Sequence, residues 1–495
     1  MRVGFDHDLY TKTQSEKILE RVNQFGGKLY LELGGKLFDD NHAARVLPGF
    51  RPDSKISMLR SLSDQTEIVI AISADDIAKN KVRGDLGITY DQDVLRLIDA
   101  FRAVDMLVDS VVITHWASQP QAVAFRKRLR SLGMKVYAHY PIANYPSDIA
   151  LVVSDKGYGK DDYIETTRPL VLVTAPGPGS GKMAVCMSQL YQDHQRGIKA
   201  GYAKFETFPI WNLPLKHPVN IAYEAATVDL GDVNMIDPFH LETYGELAVN
   251  YNRDIEVFPI LSAIFERIWG EMPYKSPTDM GVNMVGKCIT DEAVVEAAAK
   301  QEVIRRLYTT LCEQRRGHAT EEEVAKLRLL MQQMNLSDED RPVIAAARKR
   351  ADSTGAPAAA VELPSGAIVT GKTSSLLGTS SALILNALKL LAGIPKNEKL
   401  IPPEVIEPIQ NLKLNYLGNN NPRLHTDEVL VALSITAANS PRAALALSQL
   451  PLLKGCEVHT SVILSSVDEN IFRRLGVNLT CDPQYQSRKL YHRGR

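Results

Sequence analysis

Short apolar runs alternate with amphipathic helical patterns along residues 28–174. Most of these runs are apolar at successive positions, which is typical of parallel strands covered by helices on both faces. Helical patterns at 91–101 and 120–132 lie between them. The alternation predicts an α/β fold with a mostly parallel sheet, whose strands are expected at residues 28–33, 67–72, 110–114, 135–138, 149–153 and 170–174.

Changes in this pattern divide the chain into four predicted segments. Residues 1–203 are expected to form a Rossmann-like α/β domain that carries a glycine-rich loop. Residues 204–285, rich in proline and aromatic side chains, are expected to form a loop-rich extension that completes a site. Residues 286–352 are predicted to be a helical subdomain, and residues 353–495 a second α/β domain.

The last two segments contain clear start and stop signals. Thr320 and Glu323 have the spacing of a helix capping box, and the helical subdomain is a candidate for homo-oligomer contacts. Alternating runs around 364–366 predict a hairpin, followed by a helix at 380–392. Further strands are expected at 429–436 and 457–464.

The composition is that of a globular protein without a charge bias. Among 495 residues, 57 lysines and arginines face 58 aspartates and glutamates, a formal net charge of -1. This balance gives no support to nucleic-acid or anionic-membrane partners. No stretch approaches the ~20 apolar residues of a membrane span, the amino terminus lacks an apolar signal core, and the five cysteines are scattered. We therefore expect a cytoplasmic protein with no zinc centre.

The stretch LVLVTAPGPGSGKMAVCMSQLYQDH, residues 170–194, predicts a strand, a glycine-rich loop and a helix. Glycines allow backbone N–H groups to turn toward one point, and a helix N-terminus adds partial positive charge. The segment PGSGK resembles the core of P-loop nucleotide kinases such as adenylate kinases. The predicted ligand is ATP or another nucleotide with magnesium, or a smaller phosphorylated compound, and the candidate contacts are Gly177, Gly179, Ser180, Gly181 and Lys182.

Three features depart from a nucleotide-hydrolysing loop. Pro176 occupies the first glycine position, Met183 and Ala184 offer no hydroxyl to magnesium, and the loop follows the sixth predicted strand. Three interpretations therefore remain open: an ATP-dependent enzyme, a non-catalytic phosphate-metabolite-binding or regulatory protein, and a glycine-rich turn with a solvent-facing lysine. Residues 366–373 match G-x-x-x-x-G-K-[ST] letter for letter, but their pattern predicts a hairpin instead.

Several polar residues are candidates to complete the site. Asp237 is a possible magnesium ligand, and His240 and His217, with Lys182, are possible catalytic groups. For the aspartates a cap, a turn or a surface charge is the more common role, and a lone histidine in an aromatic-rich loop is more often structural. The carboxylates and cations expected near the carboxyl edge of the sheet are Asp75, Asp76, Asp155 and Lys160.

Two resemblances extend beyond single residues. A glycine-turn hairpin followed by a helix is similar to the opening of cytidine-deaminase-like folds, although the H-x-E and P-C-x-x-C zinc set is absent. H-E-x-x-H is also absent, so peptidase chemistry has no support. Over essentially its whole length the chain resembles a bacterial family of about 500 residues, catalogued as a domain of unknown function. That resemblance rests on LYLELGGKLFDD, TAPGPGSGKMAVCMSQLYQDH and SVDENIFRRLGVNLTCDP, among others, and implies a cytoplasmic, multidomain protein with no established activity.

Overall fold

The computed structural model describes residues 2–83 and 86–486. It forms two compact units. The first, here the N-terminal unit, consists of residues 2–224 and 231–299, and the second, the C-terminal unit, of residues 225–230 and 300–486. The four-segment division of the sequence stays a prediction. None of the helices in the described part of the chain is long and apolar enough to cross a membrane.

The first part of the chain alternates helices and strands. Up to residue 138 these are α1 His7–Gln24, β1 Leu29–Leu33, α2 Asn41–Val46, α3 Ser54–Arg60, β2 Thr66–Ser73, α4 Ala74–Ala78, β3 Val82–Arg83, β4 Ile88–Thr89, α5 Tyr90–Arg102, β5 Leu107–Thr114, α6 Pro120–Ser131 and β6 Lys135–Ala138. They continue as α7 Ile149–Val152, β7 Leu170–Thr174, α8 Lys182–Gln195, β8 Gly201–Phe205, α9 Pro218–Ala226, β9 Asn234–Ile236, α10 Pro238–Tyr244, β10 Val249–Tyr251, α11 Asn252–Trp269 and α12 Pro277–Met280.

Six strands of the N-terminal unit form one parallel sheet in the order β6-β5-β2-β7-β1-β8. Five of the six predicted strands are confirmed, and the α/β class with them. The order differs from the usual dinucleotide-binding order, because the first strand of the chain lies between the fifth and the sixth. β8 was not predicted, since its sequence GYAKF mixes glycine and lysine with apolar residues.

The predicted strand at 149–153 is wrong. The segment IALV forms the short helix α7, and the carboxylate of Asp148 accepts a hydrogen bond from the Leu151 N–H at 3.0 Å. A short apolar run fits a buried strand and a buried helical turn equally well, and the cap at Asp148 decides between them here.

The sheet of the N-terminal unit is covered on both faces. Side chains at alternate positions of each strand point to opposite faces. Leu29, Leu31 and Leu33 of β1 pack in the core that contains apolar residues of α1, α3, α5 and α6. Tyr30 lies in the other core, with apolar residues of α8 and α11. The amino-terminal ends of the helices that follow a strand, such as α8, therefore start at the carboxyl edge of the sheet.

The remaining elements begin within the helical segment. They are α13 Glu292–Arg316, α14 Glu321–Gln333, α15 Pro342–Thr354, β11 Ala358–Glu362, β12 Ile368–Lys372, α16 Thr379–Leu391, α17 Pro403–Asn415, α18 Thr426–Ala437, α19 Pro441–Leu447, β13 Glu457–Thr460, α20 Ser466–Arg474 and β14 Asn478–Cys481. Four strands form a sheet in the order β12-β11-β13-β14, in which only β13 and β14 are parallel. The predicted helices around Thr320 and 380–392 are confirmed.

Two predictions for this unit have opposite outcomes. The predicted hairpin is β11–β12, so the literal G-x-x-x-x-G-K-T match at 366–373 lies in a turn and a strand. The predicted strand at 429–436 is wrong, because these residues belong to α18. The Glu428 carboxylate accepts a hydrogen bond from the His425 N–H at 2.7 Å and closes a capping box at the start of that helix.

Candidate functional site

The glycine-rich loop lies at the carboxyl end of β7, where the connections from two neighbouring strands run toward opposite sides of the sheet. β7 precedes it, and the neighbours of β7 in the sheet are β2 and β1. The chain leaves β2 toward β5 on one side, whereas it leaves β7 toward β8 on the other. Divergent connections of two neighbouring strands open a crevice at their carboxyl ends, which is where ligands of open α/β sheets bind. The loop at 177–182 borders this crevice.

Neighbouring elements fix the conformation of the loop. The Thr114 hydroxyl at the end of β5 donates to the Ser180 carbonyl at 2.9 Å, and the buried Ser180 hydroxyl donates to the Gly177 carbonyl at 3.0 Å. A Cβ at Gly177 would lie 2.2 Å from the Tyr90 hydroxyl oxygen, so this position accepts no side chain without movement. Gly181, with φ 84°, is the N-cap of α8.

The backbone of this loop presents several donors. Within the part of the chain that the structure describes, the N–H groups of Gly179, Ser180, Gly181, Lys182 and Met183 donate to no acceptor. They add to the partial positive charge of the N-terminus of α8. Lys182 is half-buried, and no described carboxylate lies within ion-pair distance of its ammonium group. The loop therefore presents amide donors and the Lys182 cation, and no described carboxylate is paired with that cation.

A histidine–carboxylate pair lies at the ends of the adjacent strands. His115 follows β5 and Asp75 follows β2, and the His115 Nδ1 is 3.6 Å from the Asp75 Oδ2. The Gln119 amide donates to the Asp75 Oδ1 at 3.2 Å and to the His115 carbonyl at 2.9 Å. His115 and Ser118 both have positive φ, 51° and 64°, a conformation that is costly for residues other than glycine and that concentrates at functional sites.

Asp237 is a helix cap in this structure. Its Oδ1 accepts hydrogen bonds from the N–H groups of Phe239 and His240 at 3.0 and 3.1 Å. Its Oδ2 accepts from the Thr278 N–H at 3.1 Å and from the Thr278 hydroxyl at 2.6 Å. A carboxylate has about four acceptor positions, and all of them are occupied within the fold. The magnesium role suggested by the sequence therefore finds no free lone pair at Asp237.

The two candidate histidines are also engaged in local structure. The His240 Nδ1 lies 3.0 Å from the Ser276 hydroxyl, and its ring packs on Trp211 and Tyr244. The buried His217 accepts a hydrogen bond from the Val219 N–H at its Nδ1, at 3.2 Å. Its Nε2 faces Glu292 and Glu296, with the more distant oxygen 3.9 Å away. Neither histidine lies beside the loop in any described contact.

These three side chains, His217, Glu292 and Glu296, bring their ligand atoms within 4.8 Å of one another. A metal would need the lone pair of the His217 Nε2. Because the Nδ1 accepts a hydrogen bond from the Val219 N–H, the proton of the ring lies on the Nε2, which is close to Glu292 but makes no hydrogen bond of suitable geometry with the described residues. The proton on the Nε2 therefore occupies the lone-pair position that a metal would need.

Asp155 and Lys160 lie away from the crevice. The Tyr191 hydroxyl donates to the Asp155 Oδ1 at 2.9 Å, and the Lys160 ammonium group lies 5.1 Å from the centroid of the Tyr140 ring. Tyr191 is in the third turn of α8, about 13 Å along the helix from Lys182 at 1.5 Å per residue. Asp155 was expected at the carboxyl edge of the sheet as the residue that follows a strand, and that premise is wrong, because residues 149–152 before it form the helix α7.

A second polar cluster, which the sequence analysis did not identify, lies at the carboxyl ends of β1 and β8. The ammonium group of Lys204 lies 2.5 Å from the Asp254 Oδ1 and 3.3 Å from the Glu206 Oε1, and it contacts the Tyr251 hydroxyl. Glu32 of β1 is the register partner of Lys204. We call these five residues the Lys204 cluster. Its signal in the sequence is a charged residue inside each of two apolar strand runs, KLYLEL and GYAKF.

Burial and the neighbouring charges shift the pKa values of Lys204 and Glu206 in the Lys204 cluster. Burial alone lowers the pKa of Lys204, but the carboxylates of Asp254, Glu206 and Glu32 outweigh it and raise that pKa above its usual value. Burial, together with the nearby Asp254 carboxylate, raises the pKa of Glu206 to about 7 against the opposing effect of Lys204. Glu206 is therefore a carboxyl group that changes its protonation near neutrality.

Comparison with known proteins places the whole chain in one group. A family model described as "Domain of unknown function DUF1846, N-terminal" matches residues 3–335, and the corresponding C-terminal model matches residues 339–491. The chain belongs to the DUF1846 family. A UPF0371 protein of Streptococcus pyogenes serotype M5 (strain Manfredo) is 58% identical over 491 residues, 99% of both chains. A UPF0371 protein of Streptococcus thermophilus (strain CNRZ 1066) is 58% identical over 490 residues, again 99% of both.

The family resemblance noted in the sequence is thereby confirmed. The segment covered by the N-terminal DUF1846 model contains both the 177–182 loop and the Lys204 cluster. The family description names no reaction and no ligand, so the chemistry of this DUF1846 protein has to be argued from its geometry.

Proposed function

We propose that this protein binds a phosphorylated small molecule at the 177–182 loop. The observation that supports this most directly is the set of N–H groups from Gly179 to Met183 that have no acceptor among the described residues. They lie at the N-terminus of a 14-residue helix, next to the crevice between β2 and β7. Such a terminus binds phosphate through its amides and its dipole, and Lys182 adds a mobile positive charge.

Binding of a phosphate is better supported than hydrolysis of ATP. Phosphoryl transfer requires a metal ion that the protein helps to hold. Met183 and Ala184 have no hydroxyl, and the Ser180 hydroxyl is buried and donates within the loop. Asp237 has no free acceptor position. The proposed ligand is accordingly a monophosphate, such as a mononucleotide or a sugar phosphate. ATP with magnesium is the second candidate, and the experiment below distinguishes the two.

The cytoplasm is the compartment that fits this role. All five cysteines are buried free thiols, which a reducing environment preserves. Phosphorylated metabolites of the proposed class are intracellular compounds, so ligand and thiols indicate the same location.

A thermal-shift experiment tests the proposal directly. Inorganic phosphate, adenosine monophosphate and ATP are added with and without magnesium, and the melting temperature is followed by tryptophan fluorescence. We expect magnesium-independent stabilisation by the monophosphates, because a ligand that binds only the folded state raises its stability. The Lys182→Ala variant should bind these monophosphates with an apparent affinity at least tenfold lower than that of the wild type.

The matched control is Lys199→Ala. Lys199 is an exposed lysine beyond the C-terminal end of the same helix, and its removal should leave ligand binding unchanged. Equal binding by Lys182→Ala and the wild type would contradict the proposal. Stabilisation by ATP alone, and only with magnesium, would favour an ATP-dependent enzyme instead.

A further inference from the structure

The carboxyl group of Glu206 has one engaged and one open oxygen. Its Oε1 accepts a hydrogen bond from the Tyr251 hydroxyl at 2.9 Å and lies 3.3 Å from the Lys204 ammonium group. Its Oε2 has no donor among the residues that the structure describes. The side chain is 23% exposed, so a small molecule can reach it. A proton on Glu206 therefore resides on the Oε2, where it has no partner in the protein.

The Glu206 side chain packs against Gly34, where only a residue without a Cβ leaves room for it. A Cβ on Gly34, directly after β1, would lie 2.3 Å from the Glu206 Cγ and 2.4 Å from its Oε1. Any other residue at position 34 would displace Glu206. The Gly34 N–H donates to the Phe205 carbonyl at 2.8 Å and holds the two segments together.

Lys204 serves as the anchor of the cluster and not as a nucleophile. Its three possible donor directions are matched by Asp254, Glu206 and Tyr251. A lysine in this state stays charged. The ammonium group fixes the Tyr251 hydroxyl, which in turn fixes the Glu206 Oε1.

The Lys204 cluster and the 177–182 loop share one edge and one face of the sheet. β7, β1 and β8 are consecutive strands, and Tyr30 and Tyr202, two residues before Glu32 and Lys204, lie in the core formed with α8 and α11. The charges of Glu32 and Lys182 both act on the thiol of Cys186, one turn into α8. Two strand spacings of about 4.8 Å separate β7 from β8, so about 10 Å of the sheet edge lies between the ends of these two strands.

We infer that the ligand extends from the 177–182 loop along the sheet edge to Glu206, which donates its Oε2 proton to a hydrogen-bond acceptor of the ligand. This inference rests on the proposed function, since it assumes that the phosphate lies at the loop. It specifies the substrate class: a phosphate ester with an oxygen or nitrogen acceptor about 10 Å from the phosphorus, a separation that the base of a mononucleotide spans. Glu206 is then the group that can protonate this acceptor.

Protonation of Glu206 is set by all the charged groups around it. An anionic ligand adds a further negative charge about 10 Å away, which at an effective dielectric constant of about 20 raises the pKa of Glu206 by about one pH unit. Binding at pH 7 should then take up about 0.4 proton from solvent. The titratable and charged groups that act on Glu206 are Glu32 and Lys204 from the two strands, Tyr223 from α9, Tyr251 at the end of β10 and Asp254 in the first turn of α11.

Two variants and two probes test the inference by titration calorimetry of the full chain. Glu206→Ala should weaken the binding of adenosine monophosphate about five- to tenfold, the effect of one lost hydrogen bond. Inorganic phosphate, which reaches only the loop, should bind Glu206→Ala and the wild type within about twofold. Glu256→Gln is the matched control, an exposed carboxylate on the same helix as Asp254, and should change neither affinity.

Proton uptake gives a readout that a merely structural role would not move. Binding heats are measured in two buffers with different ionisation enthalpies, for the wild type and for Glu206→Gln. The difference between the two proteins cancels the ionisation of the ligand itself, and we expect the wild type to take up about 0.4 proton more at pH 7. Circular dichroism confirms that both variants are folded.

The outcomes separate the two claims. If no phosphate compound binds, or if binding does not depend on Lys182, the proposed function fails and the inference fails with it. If phosphate binds through Lys182 but no extended phosphate ester responds to Glu206→Ala, only the inference is overturned. Equal proton uptake by the wild type and Glu206→Gln overturns it as well.

Discussion

The substitution Asp237→Asn distinguishes a helix cap from a magnesium ligand. In the structure, Asp237 accepts four hydrogen bonds, two from the first turn of α10 and two from Thr278. Asparagine caps helices about as well as aspartate, so its amide oxygen can keep the two bonds to α10. Its amide nitrogen would then face the Thr278 N–H, and that donor would lose its acceptor.

The expected cost follows from these bonds. A buried donor without a partner costs about 1–3 kcal/mol, so we expect Asp237→Asn to lower the free energy of unfolding by about 2 kcal/mol. Asp237→Ala removes the cap as well, which is worth about 1 kcal/mol, together with the charge-assisted bonds to Thr278. We expect about 4 kcal/mol for this variant.

Urea unfolding followed by tryptophan fluorescence measures this effect in the right part of the protein. The three tryptophans, Trp116, Trp211 and Trp269, all lie in the N-terminal unit. With a slope of up to about 3 kcal/mol per molar urea, a loss of 2 kcal/mol lowers the midpoint by about 0.7 M or more. Glu242→Gln, at an exposed carboxylate on α10, is the control and should leave the midpoint unchanged.

One result would refute the reasoning. If Asp237→Asn keeps the wild-type midpoint and instead abolishes a magnesium-dependent stabilisation by ATP, Asp237 is a metal ligand and the four hydrogen bonds do not describe its role. A lower midpoint with unchanged ligand binding confirms the cap.

Two further predictions concern the C-terminal unit. Burial alone raises the pKa of Asp468, but hydrogen bonds from His425 and Thr426 outweigh it and hold that pKa to about 2, below the ordinary 3.8. The resulting stability, about 2 kcal/mol, is present above about pH 4 and is lost as the pH falls toward 2. In Asp468→Asn this pH-dependent part of the free energy of unfolding should be absent from acid unfolding followed by circular dichroism. An acid transition identical to that of the wild type would contradict the prediction. The fully buried Arg341 contacts the Glu457 carboxylate, so Arg341→Met should cost about 3–5 kcal/mol by leaving an unpaired charge. Hydrogen exchange of the β13 amides measures this, and wild-type protection in the variant would exclude it.

The sequence predicts five of the six strands of the parallel sheet, because each is a short apolar run bounded by polar or turn residues. The run at 67–72 is rich in β-branched residues and is bounded by polar ones, and it forms the inner part of β2. The runs IALVV and EVLVALSITA have the same composition, yet they form α7 and α18. In both, a capping carboxylate, Asp148 or Glu428, lies beside the run and supports a helix. Apolar composition alone does not separate the two structures.

The candidate site was only partly accessible from the sequence. The glycines, Lys182 and the start of α8 are neighbours along the chain, and their local pattern is sufficient to place them together. The bond from Thr114 to Ser180 and the contact of Lys204 with Asp254 join segments far apart in the chain. For Asp237 the sequence suggested a metal ligand where the structure has a helix cap. A carboxylate after an apolar run gives the same sequence pattern in both roles.

The position of β7 between β1 and β2 has a consequence for biosynthesis. A ribosome that has translated only the first half of the N-terminal unit has released β1, but both partners of that strand, β7 and β8, are still to be made. β1 and one side of β2 therefore emerge as open strand edges, which are the surfaces through which nascent chains aggregate. The protein acquires β7 and the crevice beside the 177–182 loop in the same late step, so truncated or stalled chains should aggregate.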